Sequence, residues 1–262
     1  MRPKILVGAP IFDGSAYDMP EYLKALRSLT YPNVQHLLVD NSRSPKFFEE
    51  LKKKNVNVIR KFYDLPDPKA RIVAARNVIA QKVIEKCDYF LSLEQDVIPP
   101  KDVIERLLAH GKQIISGVYC NVFKNAKKKQ VMLPILYRDL TSKEQEEIQK
   151  NLEKFQKMNP ETYAILKENN FNFSVIQKQM TLQEMQGKEL IKVKSCGLGC
   201  VLIHKSVLEK VKFRLNPNAA FDDMVFCEDA RKNGFDIYTD ASVMCKHLIK
   251  NKPWKWAMFH NV

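Results

Sequence analysis

Long hydrophobic runs and paired cysteines are both missing from this sequence. No apolar stretch approaches the roughly 20 residues that are needed to cross a bilayer, so no transmembrane segment is predicted. The six cysteines are scattered and include no CxxC pair, which argues against a zinc site and favours reduced thiols. The apolar run that follows Lys4 is too short for a signal peptide. Together these absences predict a cytoplasmic protein.

The composition is that of a folded and strongly basic chain. Of its 262 residues, 45% are hydrophobic and 28% are charged, which excludes global disorder and suits one large domain covering residues 1–262. Lysine and arginine number 43 against 30 acidic residues, so the formal net charge is +13. This surplus favours polyanionic partners such as nucleic acid, an anionic membrane or phosphate-bearing small molecules.

The first half of the chain alternates between short apolar runs and segments with helical spacing. Strand-like runs return in the last third. This pattern predicts an α/β fold with a mostly parallel sheet flanked by helices. The predicted strands are 4–9, 34–39, 56–59, 89–93, 113–118, 190–193, 200–203, 236–239 and 242–245, and the predicted helices are 22–29, 47–54, 70–86 and 101–109.

Residues 124–190 interrupt this alternation. We expect one strand at 131–137 and a polar, helix-prone stretch at 141–169, which opens with a capping-box pattern at Thr141 and Glu144. The segment is interpreted as a helical insertion within the domain, serving as a lid or an acceptor region. A solvated helical excursion without function is the alternative.

Acidic side chains follow three of the predicted strands. Asp13 follows the first, Asp40 the second, and Glu94 and Asp96 follow the strand at 89–93. In open α/β sheets, ligands bind outside the carboxyl ends of the strands. Two carboxylates at positions i and i+2 of an extended chain lie on one side of it, and Mg²⁺ or Mn²⁺ uses one or two carboxylates together with phosphate oxygens. We therefore expect a divalent-cation site here, against the alternative of ordinary surface charge.

Two short segments of the first half occur in a distinctive order. Ala75-Arg76-Asn77 lies on the long helix candidate and precedes Phe90-Leu91-Ser92-Leu93-Glu94-Gln95-Asp96. The pair resembles family 2 of the GT-A glycosyltransferases, in which a helix with an Ala-Arg-Asn signature leads into the strand carrying the Asp-x-Asp metal motif. The first acid of that motif is Glu94 in this chain rather than Asp. The resemblance covers roughly 1–120 and 190–250 and implies the GT-A fold.

The same resemblance implies a donor site. Asp40, in Val39-Asp40-Asn41-Ser42, takes the place of an acid that holds the nucleotide base, and Cys196-Gly197-Leu198-Gly199-Cys200 resembles a small-residue segment near the donor sugar. The donor-binding residues expected on this basis are Pro10, Asp40, Arg71, Arg76, Glu94, Gly197 and Gly199. Structural interpretations stay open: Asp40 can cap a turn, and the arginines can hold a diphosphate or pin the site carboxylates. The two glycines, out of only 8 in the chain, can also mark a bulge.

The resemblance also implies a catalytic base and a metal-binding histidine. Phe221-Asp222-Asp223, followed by Glu228-Asp229, resembles the helix that supplies the base. We expect Asp229 to be the base, with Glu228 as the second choice. The expected metal ligands are Asp96, Glu94 and His247. The alternatives are acids that favour the first turn of a helix and a histidine of the ordinary core or surface.

The predicted function is metal-dependent transfer of a sugar from a nucleotide-diphospho-sugar to an acceptor hydroxyl, with Mn²⁺ or Mg²⁺ as cofactor and inversion at the sugar. A UDP-sugar is the favoured donor and a GDP-sugar the alternative; the acceptor can be a glycan, a lipid or a protein. One rival is a sugar-phosphate nucleotidyltransferase, which needs a glycine-rich phosphate loop that residues 8–14 lack. The other rival is a non-catalytic basic binding module for nucleic acid or an anionic surface.

Partners and location follow from the basic and aromatic segments. No aromatic-interleaved basic stretch or helix-turn-helix spacing supports sequence-specific nucleic-acid binding. Trp254, Trp256 and Phe259 near the end of the sequence suit a membrane interface, with core packing as the alternative. The expected location is the cytoplasm, with peripheral contact at the cytoplasmic membrane face as a second option.

Overall fold

The computed structural model describes residues 2–65, 67–124, 129–168, 177–216 and 221–249 of the chain. The strands are β1 Ile5–Ile11, β2 Val34–Asp40, β3 Val58–Arg60, β4 Tyr89–Leu93, β5 Val97–Ile98, β6 Ile114–Val118, β7 Cys120–Lys124, β8 Gln130–Pro134, β9 Leu136–Arg138, β10 Lys178–Gln179, β11 Leu190–Val193, β12 Ser195–Cys196, β13 Cys200–His204, β14 Ile237–Met244 and β15 Lys246–His247. The helices are α1 Met19–Ser28, α2 Lys46–Lys53, α3 Pro68–Lys86, α4 Val103–Ala109, α5 Ser142–Met158, α6 Pro160–Glu168, α7 Leu182–Met185, α8 Lys205–Leu208 and α9 Asp222–Lys232.

Eight of these strands form the central sheet, in the order β11-β14-β6-β13-β4-β1-β2-β3. The strands β1, β2, β3, β4, β6 and β14 run in one direction, and β11 and β13 run against them. The predicted α/β fold with a mostly parallel sheet is thus confirmed. Because parallel strands end at one edge of a sheet, the polar residues that follow β1, β2 and β4 lie along the same edge. We call it the carboxyl edge.

The two faces of the sheet are covered by different helices. Along β1 the side chains alternate, so that Leu6 belongs to one hydrophobic cluster and its neighbours Ile5 and Val7 to the other. The first cluster includes residues of α3 and α9, and the second includes residues of α1, α2 and α4. Helix α3 therefore lies on the face that also receives Phe90 of β4. This places the polar residues of α3 near those at the end of β4.

The segment between β7 and β11 differs in detail from the prediction. Instead of one strand at 131–137, β8 pairs with β7 while β9 pairs with β10 and β12. The predicted helical stretch is divided into α5 and α6 because Pro160, which has no amide hydrogen to donate, starts the second helix. Further along the chain, the two strands expected between 236 and 245 are one strand, β14, with a register shift after Thr239.

A single arginine joins the two capping boxes of this segment. Thr141 caps α5 together with Glu144, as predicted, and Thr181 caps α7 in the same way with Glu184. Arg138 at the end of β9 donates to both glutamates, at 2.7 Å to Glu144 and 2.8 Å to Glu184. These hydrogen bonds attach the helical part of the segment to its strands.

Candidate active site

The two predicted metal-motif acids leave β4 in different directions. The amide of Val97 donates to the carbonyl of Glu94 at 2.9 Å, which closes a four-residue turn directly after the strand. The turn breaks the alternation that the sequence argument assumed. Glu94 consequently contacts Arg76 of α3, whereas Asp96 contacts His247 of β15. Because of this turn, the expectation that the two carboxylates lie on one side of an extended chain is wrong.

Arg76 is buried among the site carboxylates. Its residue exposure is 3%, and its guanidinium donates to Ser92 Oγ at 3.0 Å and to Glu94. Its Nε lies 3.0 Å from Asp222 Oδ2 in a further ion pair. Of the two roles left open by the sequence, the contacts match the one in which Arg76 pins carboxylates. Because the guanidinium is bound by these groups, a diphosphate would have to be held by other cations.

The fold brings Asp96 and His247 together although 151 residues separate them in the sequence. Strand β15 pairs antiparallel with β5, with His247 opposite Val97, so the imidazole Nε2 lies 3.3 Å from Asp96 Oδ2. The other ring nitrogen, Nδ1, is 2.9 Å from the carbonyl oxygen of Cys120. With the Nδ1 hydrogen donated to this carbonyl, the imidazolium donates its second hydrogen from Nε2 to Asp96, and loss of that hydrogen leaves the Nε2 lone pair free for a cation. Burial lowers the pKa of His247, but hydrogen bonding and charge from Asp96 outweigh it and raise the pKa.

Asp18, which the sequence analysis did not select, belongs to the same group. Its residue is only 1% exposed, and among the described residues neither carboxyl oxygen has a hydrogen-bond partner of ordinary geometry. Burial and the nearby charge of Asp96 raise its pKa to about 6, while Tyr17 and His247 act in the opposite direction. No local signal singles it out, because its neighbours come from distant parts of the chain.

Helix α9 presents two acids to this site at its first turn. Asp222 pairs with Arg76. Asp223 is mostly buried, and desolvation, with the charges of Asp222 and Glu94, raises its pKa to about 6 despite a hydrogen bond from the Met224 amide. Both residues were quoted in the sequence pattern, but neither was chosen as the base.

The acids that were chosen lie at the other end of α9. Asp229 is about 10 Å further along the helix than Asp222 at 1.5 Å per residue. Its carboxylate binds Arg214 through two hydrogen bonds of 2.7 and 2.8 Å. Glu228 pairs with Lys232 one turn away. The structure does not bring either of them to the Arg76 carboxylates, because two helical turns separate them from the sheet edge.

The turn after β2 is built around Asp40. The amide and hydroxyl of Ser42 both donate to Asp40 Oδ1, at 3.0 and 2.5 Å, so the turn-capping role is present. The second oxygen, Oδ2, is buried without a hydrogen-bond partner in the described part of the chain. Burial raises the pKa of Asp40 against the effect of these Ser42 hydrogen bonds. Pro10, another predicted donor residue, lies beside this turn in β1, opposite Val39.

Arg71 stands on the first turn of α3, five residues before the buried Arg76. It is half-buried, and its Nε has no hydrogen-bond partner among the residues that the structure describes. An unsatisfied buried donor of a guanidinium suits an anionic ligand. Arg71 therefore stays a candidate for contact with a diphosphate.

The two predicted donor-site glycines pack against a tyrosine. A Cβ on Gly197 would lie 2.1 Å from Tyr119 Oη, and one on Gly199 would lie 2.5 Å from Tyr119 Cζ. The Gly199 amide donates to Tyr119 Oη at 3.0 Å. Tyr119 itself is buried and its ring stands edge-on to His247, with centroids 5.4 Å apart. The absence of side chains here is explained by the position of Tyr119.

Several further features bear on what the site can hold. Within the described ranges, no three His, Cys, Asp or Glu side chains are close enough together to hold a metal ion between them. A surface cleft of about 300 Å³ lies elsewhere, lined by residues of α7 and the end of β14. No helix in the described part of the chain is both long and apolar enough to cross a membrane. The predicted membrane-contact residues Trp254, Trp256 and Phe259 lie outside the described residues.

The sequence matches no protein-family model and no curated protein, but solved structures are similar to it. TarS from S. aureus in complex with UDP-GlcNAc aligns at a TM-score of 0.55 and 12% identity, over 99% of this chain and 61% of that chain. GalNAc-T7 with UDP, GalNAc and Mn²⁺ aligns at a TM-score of 0.56 and 10% identity, over 97% and 45%. The chain thus spans less than two thirds of either.

At these identities the similarity defines the fold. The chain has the GT-A fold, with the central, largely parallel sheet flanked by helices. The fold expected from the Ala75-Arg76-Asn77 and Glu94-Gln95-Asp96 segments is therefore confirmed.

Proposed function

We propose that the protein is a glycosyltransferase that moves a sugar from a nucleotide-diphospho-sugar to an acceptor hydroxyl, with the help of a divalent cation and with inversion at the sugar. The observation that carries the proposal is the pair of Asp96 and His247 at the carboxyl edge of a GT-A sheet. The two similar structures contain UDP-GlcNAc in one case and UDP with Mn²⁺ in the other, which supports a UDP-sugar ahead of a GDP-sugar.

The donor set of this pair fits Mn²⁺ or Mg²⁺. Asp96 supplies a carboxylate, and His247 supplies a ring nitrogen whose tautomer is set by the Cys120 carbonyl, an arrangement common for metal-binding histidines. Glu94, the third predicted ligand, is tied to Arg76 and is proposed to act through that ion pair. A cation held by Asp96 and His247 would neutralise the charge that develops on the leaving diphosphate.

The remaining donor contacts are proposed along the same edge. Asp40 Oδ2 is a buried acceptor without a hydrogen-bond partner among the described residues, which suits an N–H of the nucleotide base. Pro10 lies beside it in β1. Arg71 offers an unsatisfied Nε to the diphosphate. Gly197 and Gly199 contribute indirectly, because they leave room for Tyr119 beside His247.

Asp223 is the carboxylate that we propose as the general base, in place of Asp229 or Glu228. A base works best when its pKa lies near the working pH, and burial raises the pKa of Asp223 to about 6. Asp222 is held by Arg76 and is proposed to orient the start of α9. The ionised Asp223 would take the proton of the acceptor hydroxyl as that oxygen attacks the anomeric carbon.

The segment 124–190 is proposed as the acceptor region of a single catalytic domain. Its strand β9 contributes Tyr137, whose pKa is raised by burial and by the charge of Asp223. The Gly197 amide donates to the carbonyl of Ile135 at 2.9 Å, so the root of the segment adjoins the site. A cytoplasmic location with contact to the membrane face is also part of this proposal. The net charge of +13 supports it, because the cytoplasmic face of a membrane is negatively charged and attracts basic proteins.

The experiment that tests the proposal is thermal unfolding with UDP, GDP, CDP or ADP, each with and without Mn²⁺. A ligand that binds only the folded state stabilises it by about 2.7 kcal/mol at a concentration of 100 times Kd. We expect one nucleotide to raise Tm only when Mn²⁺ is present. Asp96→Asn should abolish this shift, whereas Asp102→Asn, an exposed acid at the start of α4, should keep it.

Other results would favour the rival functions. If no nucleotide with Mn²⁺ shifts Tm, the cation site is wrong and the basic binding module becomes the better hypothesis. Its binding to polyanions should then weaken steeply as salt is raised. A shift with a nucleoside triphosphate and sugar phosphate, but not with a diphosphate, would instead indicate a nucleotidyltransferase.

A further inference from the structure

Asp18 is a buried acid that the described part of the chain partners only weakly, through the neighbouring Tyr17. At 1% exposure, neither of its carboxyl oxygens receives a hydrogen bond of ordinary geometry from the described residues. It occupies the N-cap position of α1, but its side chain does not cap the helix. A carboxylate that is buried with so little hydrogen bonding is costly to folding. A ligand that binds it would offset that cost.

The surroundings of Asp18 are fixed by contacts on both sides of it. Tyr22, one turn along α1, donates its hydroxyl to the Leu93 carbonyl at the end of β4, at 2.7 Å. Glu21 binds Lys246, the residue before His247, at 2.5 Å. The start of α1 is therefore anchored to β4 and to β15 at once.

These anchors place Asp18 beside the Asp96–His247 pair. Both of those residues and Glu21 act electrostatically on its carboxyl group, and the adjacent Tyr17 hydrogen-bonds to it. The nearby ammonium of Lys246 is bound by Glu21. A cation at the pair would thus bring positive charge to an acid that is otherwise surrounded mainly by other acids.

We propose that Asp18 is a positioning residue of the cation site, which accepts a hydrogen bond from a water molecule on a cation held by Asp96 and His247. The inference rests on the proposed function. Contact through water agrees with the finding that no three acidic, histidine or cysteine side chains in the described ranges share one metal position. Mg²⁺ and Mn²⁺ sites of this kind usually keep several water ligands.

The test measures Mn²⁺ binding to the whole chain, from the electron paramagnetic resonance signal of free Mn²⁺, without any activity assay. Asp18→Asn is expected to raise the Kd for Mn²⁺ by about 10–100-fold, the usual effect of losing an outer contact at a metal site. Asp102→Asn removes one negative charge at an exposed position on α4, away from the site, and should leave Kd unchanged. Asp18→Ser serves as a second variant, because Ser also suits an N-cap.

Further measurements separate this role from a structural one. Without metal, Asp18→Asn should unfold at the same or a higher temperature than the wild type, because it removes an unpaired buried charge. If both Asp18 variants bind Mn²⁺ as tightly as Asp102→Asn, or if Tm falls while Kd is unchanged, the inference is overturned and Asp18 is only a structural acid. If the wild type itself binds no Mn²⁺, with or without UDP, the cation part of the proposed function fails as well. Loss of binding in Asp96→Asn but not in the Asp18 variants refutes the role of Asp18 alone.

Discussion

Replacing Asp223 by asparagine should stabilise the protein while stopping catalysis. Burial raises the pKa of this carboxyl from its ordinary 3.8 to about 6, so the folded state holds the proton more tightly than the unfolded state. The contribution to stability is therefore greatest below pH 3.8 and is lost as pH rises to about 6. At about 1.4 kcal/mol per pH unit, the loss above pH 6 is about 3 kcal/mol.

Asparagine avoids this loss because it carries no charge at any of these pH values. Its side-chain oxygen can still accept the Met224 amide hydrogen that Asp223 Oδ1 accepts at 2.7 Å. We expect Asp223→Asn to be up to about 3 kcal/mol more stable than the wild type at pH 7, with the difference vanishing near pH 4. Loss of a general base should lower the rate of sugar transfer by about 10²–10⁴-fold.

The assay is urea unfolding at pH 4, 5, 6 and 7, together with release of nucleoside diphosphate from the donor found by thermal shift. Asp229→Asn is the matched control on the same helix. Its carboxylate binds Arg214, so its loss should destabilise the protein slightly and leave transfer intact. The reasoning is refuted if Asp223→Asn is less stable than the wild type at pH 7, or if the difference does not depend on pH. Normal transfer by Asp223→Asn would return the base to Asp229 or Glu228.

Three further changes have expected outcomes. Arg76→Met should lower the urea-unfolding free energy by about 1–3 kcal/mol, because it leaves the partly buried carboxylates of Glu94 and Asp222 without their buried partner. Gly197→Ala should destabilise by about 1–3 kcal/mol through overpacking against Tyr119, and Tyr119→Phe should recover part of that loss in a double-mutant cycle. Arg138→Ala should speed amide hydrogen exchange in α5 and α7, because the arginine binds the capping glutamate of both helices.

Each of these has a control within the chain. For Arg76, the charge-preserving Arg76→Lys should be milder; equal stability of Arg76→Met and the wild type would contradict the ion-pair argument. For the glycines, Tyr119→Phe should not rescue Gly199→Ala, whose Cβ would meet ring carbon rather than the hydroxyl first. For Arg138, exchange in α3 should stay unchanged, and uniform acceleration throughout the chain would point to global destabilisation instead.

The fold could be predicted from the sequence because its signals are local. Apolar runs such as 89–93 and helical spacing such as 70–86 report which residues face a core. The observed β4 and α3 match them closely. The carboxyl edge was also predictable, since acids that directly follow parallel strands must lie there, as Asp40 and Asp96 do.

The composition of the site was only partly predictable. The pairing of Asp96 with His247 was expected from the order of the motifs, and the structure brings them within 3.3 Å. The choice of acid on α9 was not, because the sequence cannot say which end of a helix meets the sheet. The ion pair of Arg76 with Asp222 likewise depends on a residue far away in the chain.

By itself, the sequence determined the alternation of strands and helices and the acids that end the strands, because both are set by neighbours within a few residues. Only the tertiary structure decided that a turn sends Glu94 to α3 and Asp96 to His247. It also decided that Asp18 is buried beside this pair and that Tyr119 fills the space over Gly197. Such contacts depend on strand order and helix docking, which join segments that are up to about 230 residues apart and leave no local pattern.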